Sequence, residues 1–160
     1  ISRGHELIPI EKELQHAEAY LQIQKYRYKN QFTYHFTVDE SCLHCLCNKI
    51  TLQPIIENAI VHGLEPKKGK GHLIIQIIEG DDSQLEICII DDGIGFEVIP
   101  DIQSIASSEK DSHTHIGMKN LDKRLKLLYG PDSGIRITSI PNKCTTVSFH
   151  IPRKEFTHDI

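Results

Sequence analysis

Leu85-Glu86-Ile87-Cys88-Ile89-Ile90-Asp91-Asp92-Gly93-Ile94-Gly95-Phe96 reads as a strand that runs into an acidic glycine turn. Leu85, Ile87 and Ile89 alternate with Glu86, Cys88 and Ile90, the period-two pattern of a half-buried strand ending at Asp91. Gly93 and Gly95 permit a sharp turn and leave room for a flat ligand against the backbone. A carboxylate fixed at the strand end accepts a hydrogen bond from an exocyclic amine, such as that of adenine. Acidic glycine turns follow many strands, so this one gains meaning only from a second segment upstream.

That segment is Leu52-Gln53-Pro54-Ile55-Ile56-Glu57-Asn58-Ala59-Ile60-Val61-His62-Gly63. Apolar residues at 52, 55, 56, 59 and 60 follow helical spacing, with Gly63 as the expected stop. Asn58 and His62 lie four apart, on one face and off the apolar stripe. An amide oxygen there suits Mg²⁺, a hard cation that takes few protein ligands and keeps phosphate oxygens and waters. The plainer reading is a surface Asn and His on an amphipathic helix.

Together the two segments resemble the histidine-kinase branch of the ATPase superfamily that also holds gyrase, the large heat-shock chaperone and the mismatch-repair ATPase. Glu57 to Gly63 is similar to the family's N box, and Asp91 to Gly95 to its G1 box. Ile116-Gly117-Met118-Lys119-Asn120, followed by Arg124 to Gly130, resembles the G2 box and its helix, and Pro141 to Val147 the closing box. Order and wording are most similar to the YesM/LytS-type sensor kinases, from about Ile10 to Pro152. The resemblance implies a two-layer α/β sandwich, the Bergerat ATP-binding fold, with helices on one face of a mixed, mostly antiparallel sheet.

The bulk properties agree with one globular domain. The chain has 160 residues, 39% of them hydrophobic and 25% charged. A net charge of −4 gives no electrostatic reason to expect nucleic acid as a partner. No apolar run reaches the ~20 residues that span a bilayer. The chain begins at Ile1 and is expected to be a fragment of a longer protein. Cys42, His44, Cys45 and Cys47 crowd together, yet a structural zinc site takes four ligands from separated pairs, so reduced thiols are the expectation.

Ile10 to Tyr28 is expected to form a helix, with Glu11 and Glu13 favourable near its N-terminus. Ile10, Leu14, Ala17, Leu21, Gln24 and Tyr28 recur near a spacing of 3.5, which suits a helix–helix seam or a helix lying on its own domain. Phe32 to Val38 alternates as a strand. The N-box helix is expected over 49–62 with Asn48 as cap, Pro54 being tolerable near its first turn. Strands are expected over 73–78 and 85–90, and a closing hairpin over 135–140 and 145–151. Phe96 to His115 has no periodicity and reads as a lid or binding loop. Met118, Leu121, Leu125 and Leu128 give the following helix its apolar face.

The resemblance supplies the rest. It implies residues 1–30 as the helical remnant of a dimerisation and phosphoacceptor hairpin, 31–152 as the ATP-binding domain with a lid at about 96–116, and 153–160 as a frayed tail. Asp91 would receive the adenine amine, Gly93 and Gly95 would admit the base, and Asn58 would hold Mg²⁺, with His62 beside it. Gly117, opening a helix with Met118 and Lys119, would present backbone N–H groups to phosphate. Thr146 or Thr145 would support the adenine side. Glu57 is the weakest candidate, as an orienting or proton-accepting carboxylate.

The implied reaction moves the γ-phosphoryl of ATP to a histidine. The acceptor motif is built around His-Phe followed by Leu-Phe-Asn, and the only His-Phe pair, His35-Phe36, lacks the remainder. The fragment is therefore not expected to autophosphorylate alone. Pro54 stands where ATPase relatives carry a catalytic glutamate. The implied partners are the acceptor helix and a response regulator, with a homodimeric, membrane-anchored bacterial parent whose kinase portion is cytoplasmic. Val61, His115, Asn142 and Cys144 replace a lysine and three glycines of the family pattern, which keeps a degenerate, non-catalytic nucleotide-sensing or dimerisation module as the alternative.

Overall fold

The computed structural model describes residues 6–99, 102 and 112–155. The elements in chain order are β1 (Leu7–Pro9), α1 (Ile10–Arg27), β2 (Phe32–Val38), β3 (Leu46–Asn48), α2 (Leu52–Asn58), β4 (Gly71–Glu79), β5 (Gln84–Asp91), α3 (Ser112–Tyr129), β6 (Arg136–Ile140) and β7 (Cys144–Pro152). The main sheet has the order β2-β4-β5-β7-β6. Only β2 and β4 run parallel, joined by a crossover through α2, and the other neighbours are antiparallel. β1 and β3 form a separate two-stranded ribbon.

Alternation dictates the layers. Leu73, Ile75 and Ile77 of β4, Leu85, Ile87 and Ile89 of β5, and Val147, Phe149 and Ile151 of β7 are all buried against the helices. The opposite face carries Thr37, Gln76, Ile78, Glu86 and Ser148, and is only half covered. Ile55, Ile56, Ile60, Met118, Leu121 and Leu125 complete the core from the helical side. This is the expected two-layer sandwich.

Several local expectations change. A strand precedes the N-terminal helix, because Ile8 is buried while its neighbours pair with Asn48 and Leu46. Asn48 therefore lies in β3 and is not a helix cap; its Oδ1 accepts a hydrogen bond from the Tyr129 hydroxyl at 2.7 Å. The N-box helix starts at Leu52, which puts Pro54 in its first turn where no N–H is missed. Beyond Asn58 it widens into a π turn, Ala59–Leu64, that runs through Gly63 rather than stopping there. Leu128 is 43% exposed, so the apolar face of α3 ends at Leu125. Along α1 the buried positions are Ile10, Glu13, Ala17 and Leu21, a face that packs on the domain itself.

Of the expected lid, 100, 101 and 103–111 lie outside the described residues, as does most of the tail, while 112–116 are not loop but the first turns of α3. Arg153 to Glu155 are held: Arg153 Nη1 meets Glu79 at 2.8 Å, and Glu155 bridges to Cys45. The cysteines are free thiols, all buried except the half-buried Cys144. Burial pushes the Cys88 thiol up to about 12. Among the described residues no group of three or more His, Cys, Asp or Glu side chains is placed to hold a metal ion.

Candidate functional site

The site gathers where the C-terminal end of β5 meets the π turn after α2. Asp91 is the last residue of β5, paired with Leu73 on one side and Thr145 on the other, and is only 3% exposed. Its Oδ1 accepts the Gly93 N–H at 2.9 Å. Burial raises the carboxyl to about 6; the Gly93 hydrogen bond opposes this, Asp92 adds to it, and Lys67 offsets part of it.

The glycines around Asp91 are there for close approach. A Cβ on Gly63 would stand 2.4 Å from Asp91 Oδ1, and one on Gly93 would stand 2.2 Å from the Gly63 carbonyl. The two backbones are zipped together, the Ile94 N–H donating to the Gly63 oxygen at 3.1 Å. Gly63 thus lets the π turn pack on the carboxylate. Gly95 has φ of +69°, and a Cβ there would also strike the Ile140 oxygen at 2.6 Å.

A second clamp comes from the β6–β7 hairpin. Asn142 N–H donates to the Ile94 oxygen at 2.6 Å, and Phe96 N–H to Ser139 Oγ at 2.8 Å. Ser139 Oγ also donates to the Cys144 oxygen and meets Thr145 Oγ1 at 2.9 Å. Asn142 has φ of 60°, a left-handed position that asparagine accepts, so replacing a glycine here leaves the turn intact. Cys144 opens β7 and is not among the positive-φ residues.

Register corrects the threonine. Thr145 faces Asp91 across the β5–β7 ladder and is buried, whereas Thr146 pairs with Ile90 and Thr138 on the helix-free face. Antiparallel alternation therefore puts Thr145 beside the carboxylate and Thr146 on the other side of the sheet.

On the helical side Asn58 ends α2 and is 8% exposed, and His62 is half-buried within the π turn. Glu57 is also half-buried and acts on α1: burial, then the Glu57 charge, pushes Tyr20 up to about 12. Asp92 is pinned by two partners, the His72 N–H at 2.6 Å and Lys67 Nζ at 3.2 Å.

The G2-like residues differ from expectation. Gly117 lies inside α3, whose first residue is Ser112, so the N–H groups of Gly117, Met118 and Lys119 belong to the helix ladder and are not free for an anion. With histidine rather than glycine at 115, no glycine or proline interrupts 112–116, and the helix extends through it. Met118 is in the core at 3% exposure, Gly117 faces Pro54, and Lys119 is half-exposed.

One supporting residue escaped the sequence reading. Glu13 of α1, 3% exposed, accepts the N–H groups of Ile50, Thr51 and Leu52 at 3.2, 2.7 and 3.1 Å. A carboxylate from one helix thereby caps the helix that carries Asn58. Arg124 donates to the Ile50 oxygen at 3.1 Å beside it. The place of Glu13 in the first turn of α1 suggests only a favourable charge near a helix N-terminus, and nothing in the sequence marks it as buried.

Residues 47–155 match the family model described as histidine kinase-, DNA gyrase B-, and HSP90-like ATPase. The sensor protein LytS of Staphylococcus haemolyticus is 34% identical over 96% of this chain and 26% of its own length. The sensor histidine kinase YpdA of Escherichia coli is 33% identical over 95% of this chain and 26% of its own length. The chain thus spans about a quarter of the length of these relatives. Among solved structures, a mycobacterial sensor histidine kinase, MprB, superposes with a TM-score of 0.63 at 14% identity, over 95% of this chain and 99% of that one, which is likeness of fold.

Proposed function

Since this chain belongs to the histidine kinase-, DNA gyrase B- and HSP90-like ATPase family, we propose that it is the ATP-binding catalytic domain of a sensor histidine kinase. It would supply the γ-phosphoryl group to a histidine outside these 160 residues. The observation that carries this reading is the buried Asp91 at the end of β5, seated on Gly63 and oriented by the Gly93 N–H.

Asp91 accepts the amine of adenine and disfavours guanine, whose equivalent position is itself an acceptor. Thr145, not Thr146, is the threonine beside that carboxylate. Gly93 and Gly95 keep the turn free of side chains. The donor set fits Mg²⁺, because Asn58 offers a neutral amide oxygen and His62 lies one turn beyond it. When bound, the ion neutralises charge on the phosphates. Lys119, half-exposed on α3, adds a cation for the triphosphate. Pro54, in place of a carboxylate, gives water no general base, which favours delivery to a histidine over hydrolysis.

The nucleophile comes from an acceptor helix elsewhere in a homodimeric, membrane-anchored parent, and a response regulator on the cytoplasmic side takes the phosphoryl group onward. Residues 1–30, with α1, are the remnant of that dimerisation and phosphoacceptor hairpin. Nothing in the relatives favours the degenerate, non-catalytic reading.

Calorimetric titration with ATP, with and without Mg²⁺, tests the reading. Micromolar binding that needs Mg²⁺ and is abolished in Asp91→Asn is expected. Unchanged affinity in Asp91→Asn would overturn it.

A further inference from the structure

β2 and β4 run parallel, with Thr33 beside His72 and His35 beside Ile74 on the sheet face that carries no helix. The two imidazoles converge there. His35 Nδ1 stands 2.8 Å from His72 Nε2, with ring centroids 4.8 Å apart and planes inclined by 37°. The other nitrogen of His72, Nδ1, is hydrogen-bonded to Thr33 Oγ1. That bond fixes the ring and turns Nε2 toward His35, the arrangement by which outer partners orient metal-binding histidines.

The separation is informative. Two nitrogens each about 2.0–2.1 Å from one ion stand about 2.9 Å apart at a right angle and about 3.4 Å apart at a tetrahedral angle. One of these nitrogens donates a hydrogen bond to the other across 2.8 Å, and the same spacing fits the right angle once that proton leaves the shared edge. Square-planar or tetragonal coordination by imidazole nitrogens suits Ni²⁺ and Cu²⁺.

We propose that His35 and His72 form a two-histidine site for a divalent transition-metal ion of right-angle geometry, Ni²⁺ or Cu²⁺, with water completing the coordination. The site is separate from the nucleotide pocket. Asp92, whose carboxylate reaches the His72 backbone, is committed to that N–H and to Lys67. His35 is exposed and His72 half-exposed, so an ion reaches the pair directly from solvent.

The test is calorimetric titration of the nucleotide-free chain, thiols reduced, with NiCl₂ alone. One equivalent should bind. His35→Gln and His72→Gln should each weaken binding at least tenfold, and Thr33→Val a few-fold. His150→Gln, which removes a histidine of the same face paired with Glu86, should change nothing. Millimolar Mg²⁺ should not compete, since a hard ion prefers oxygen ligands, which separates this site from the ATP pocket. Circular dichroism confirms that each variant is folded; if His72→Gln is not, the exposed His35→Gln decides. No saturable binding at sub-millimolar Ni²⁺, or equal binding with and without the two histidines, would overturn the proposal.

Discussion

Asp91 is kept ionised at a cost. Its carboxyl holds a proton more tightly in the native chain than in the unfolded one, about 6 against 3.8. The native state therefore binds more protons through this group between about pH 4 and pH 6, and stability falls as pH rises through that window. The difference amounts to about 3 kcal/mol above pH 6. Asp91→Asn should remove that burden and raise stability at pH 7.5 by up to ~2 kcal/mol in urea unfolding, while abolishing ATP binding. Affinity of the wild type for ATP should drop about tenfold between pH 7 and pH 5, as the carboxylate takes up its proton. A flat calorimetric pH profile would show that the ionised form is not what the base recognises. The neighbouring glycines give a graded comparison. Gly63→Ala meets the tip of the Asp91 side chain and should cost about 1–3 kcal/mol. Gly93→Ala meets backbone at 2.2 Å and should cost more. Chemical denaturation of the pair orders them, and the reverse order would contradict the packing described.

At the scale of elements, the helix bearing Asn58 depends on a residue outside it. Glu13→Ala should leave the buried N–H groups of Thr51 and Leu52 and the part-buried one of Ile50 unpaired at the start of α2, at a cost of about 2–3 kcal/mol in denaturant. Glu11→Ala, one turn position away and exposed, should be nearly silent. Such a cap could not be read along the chain, because donor and acceptor belong to elements far apart in sequence. The elements that were legible are those in which pattern and burial agree locally. β2 alternates, β4 and β5 keep an unbroken apolar residue at every second position, and the acidic glycine turn follows directly from the end of β5. What escaped needed a neighbour: the three-residue β1 makes sense only against β3, and the choice between Thr145 and Thr146 rests on ladder register. The start of α3 was misplaced for a different reason. The G2-like motif marked Gly117 as an entrance, but a helix-compatible 112–116 lets the helix begin earlier.

For the molecule as a whole, β1 and α1 are built into the fold. Ile8, Ile10, Ala17 and Leu21 are buried, and Ile10 N–H donates to the Cys45 oxygen at 2.8 Å. Burying an Ile or Leu side chain is worth about 1.5–3 kcal/mol, so these four residues and the Glu13 cap together rival the 5–15 kcal/mol that holds a typical domain folded. Removing residues 1–30 should therefore lower the thermal midpoint by more than ~10 °C or abolish cooperative unfolding. An unchanged midpoint in scanning calorimetry would make α1 an appendage. The β5–β7 ladder has a consequence for how the protein is made. Asp91 faces Thr145 across it, and the chain between them includes all of α3. During synthesis the β4–β5 hairpin can zip as it emerges, but the partner strand that floors the pocket arrives much later, and loops of that length close slowly. A nascent chain halted before Cys144 would display the buried carboxylate's strand as a bare edge, with nothing yet able to grip a nucleotide.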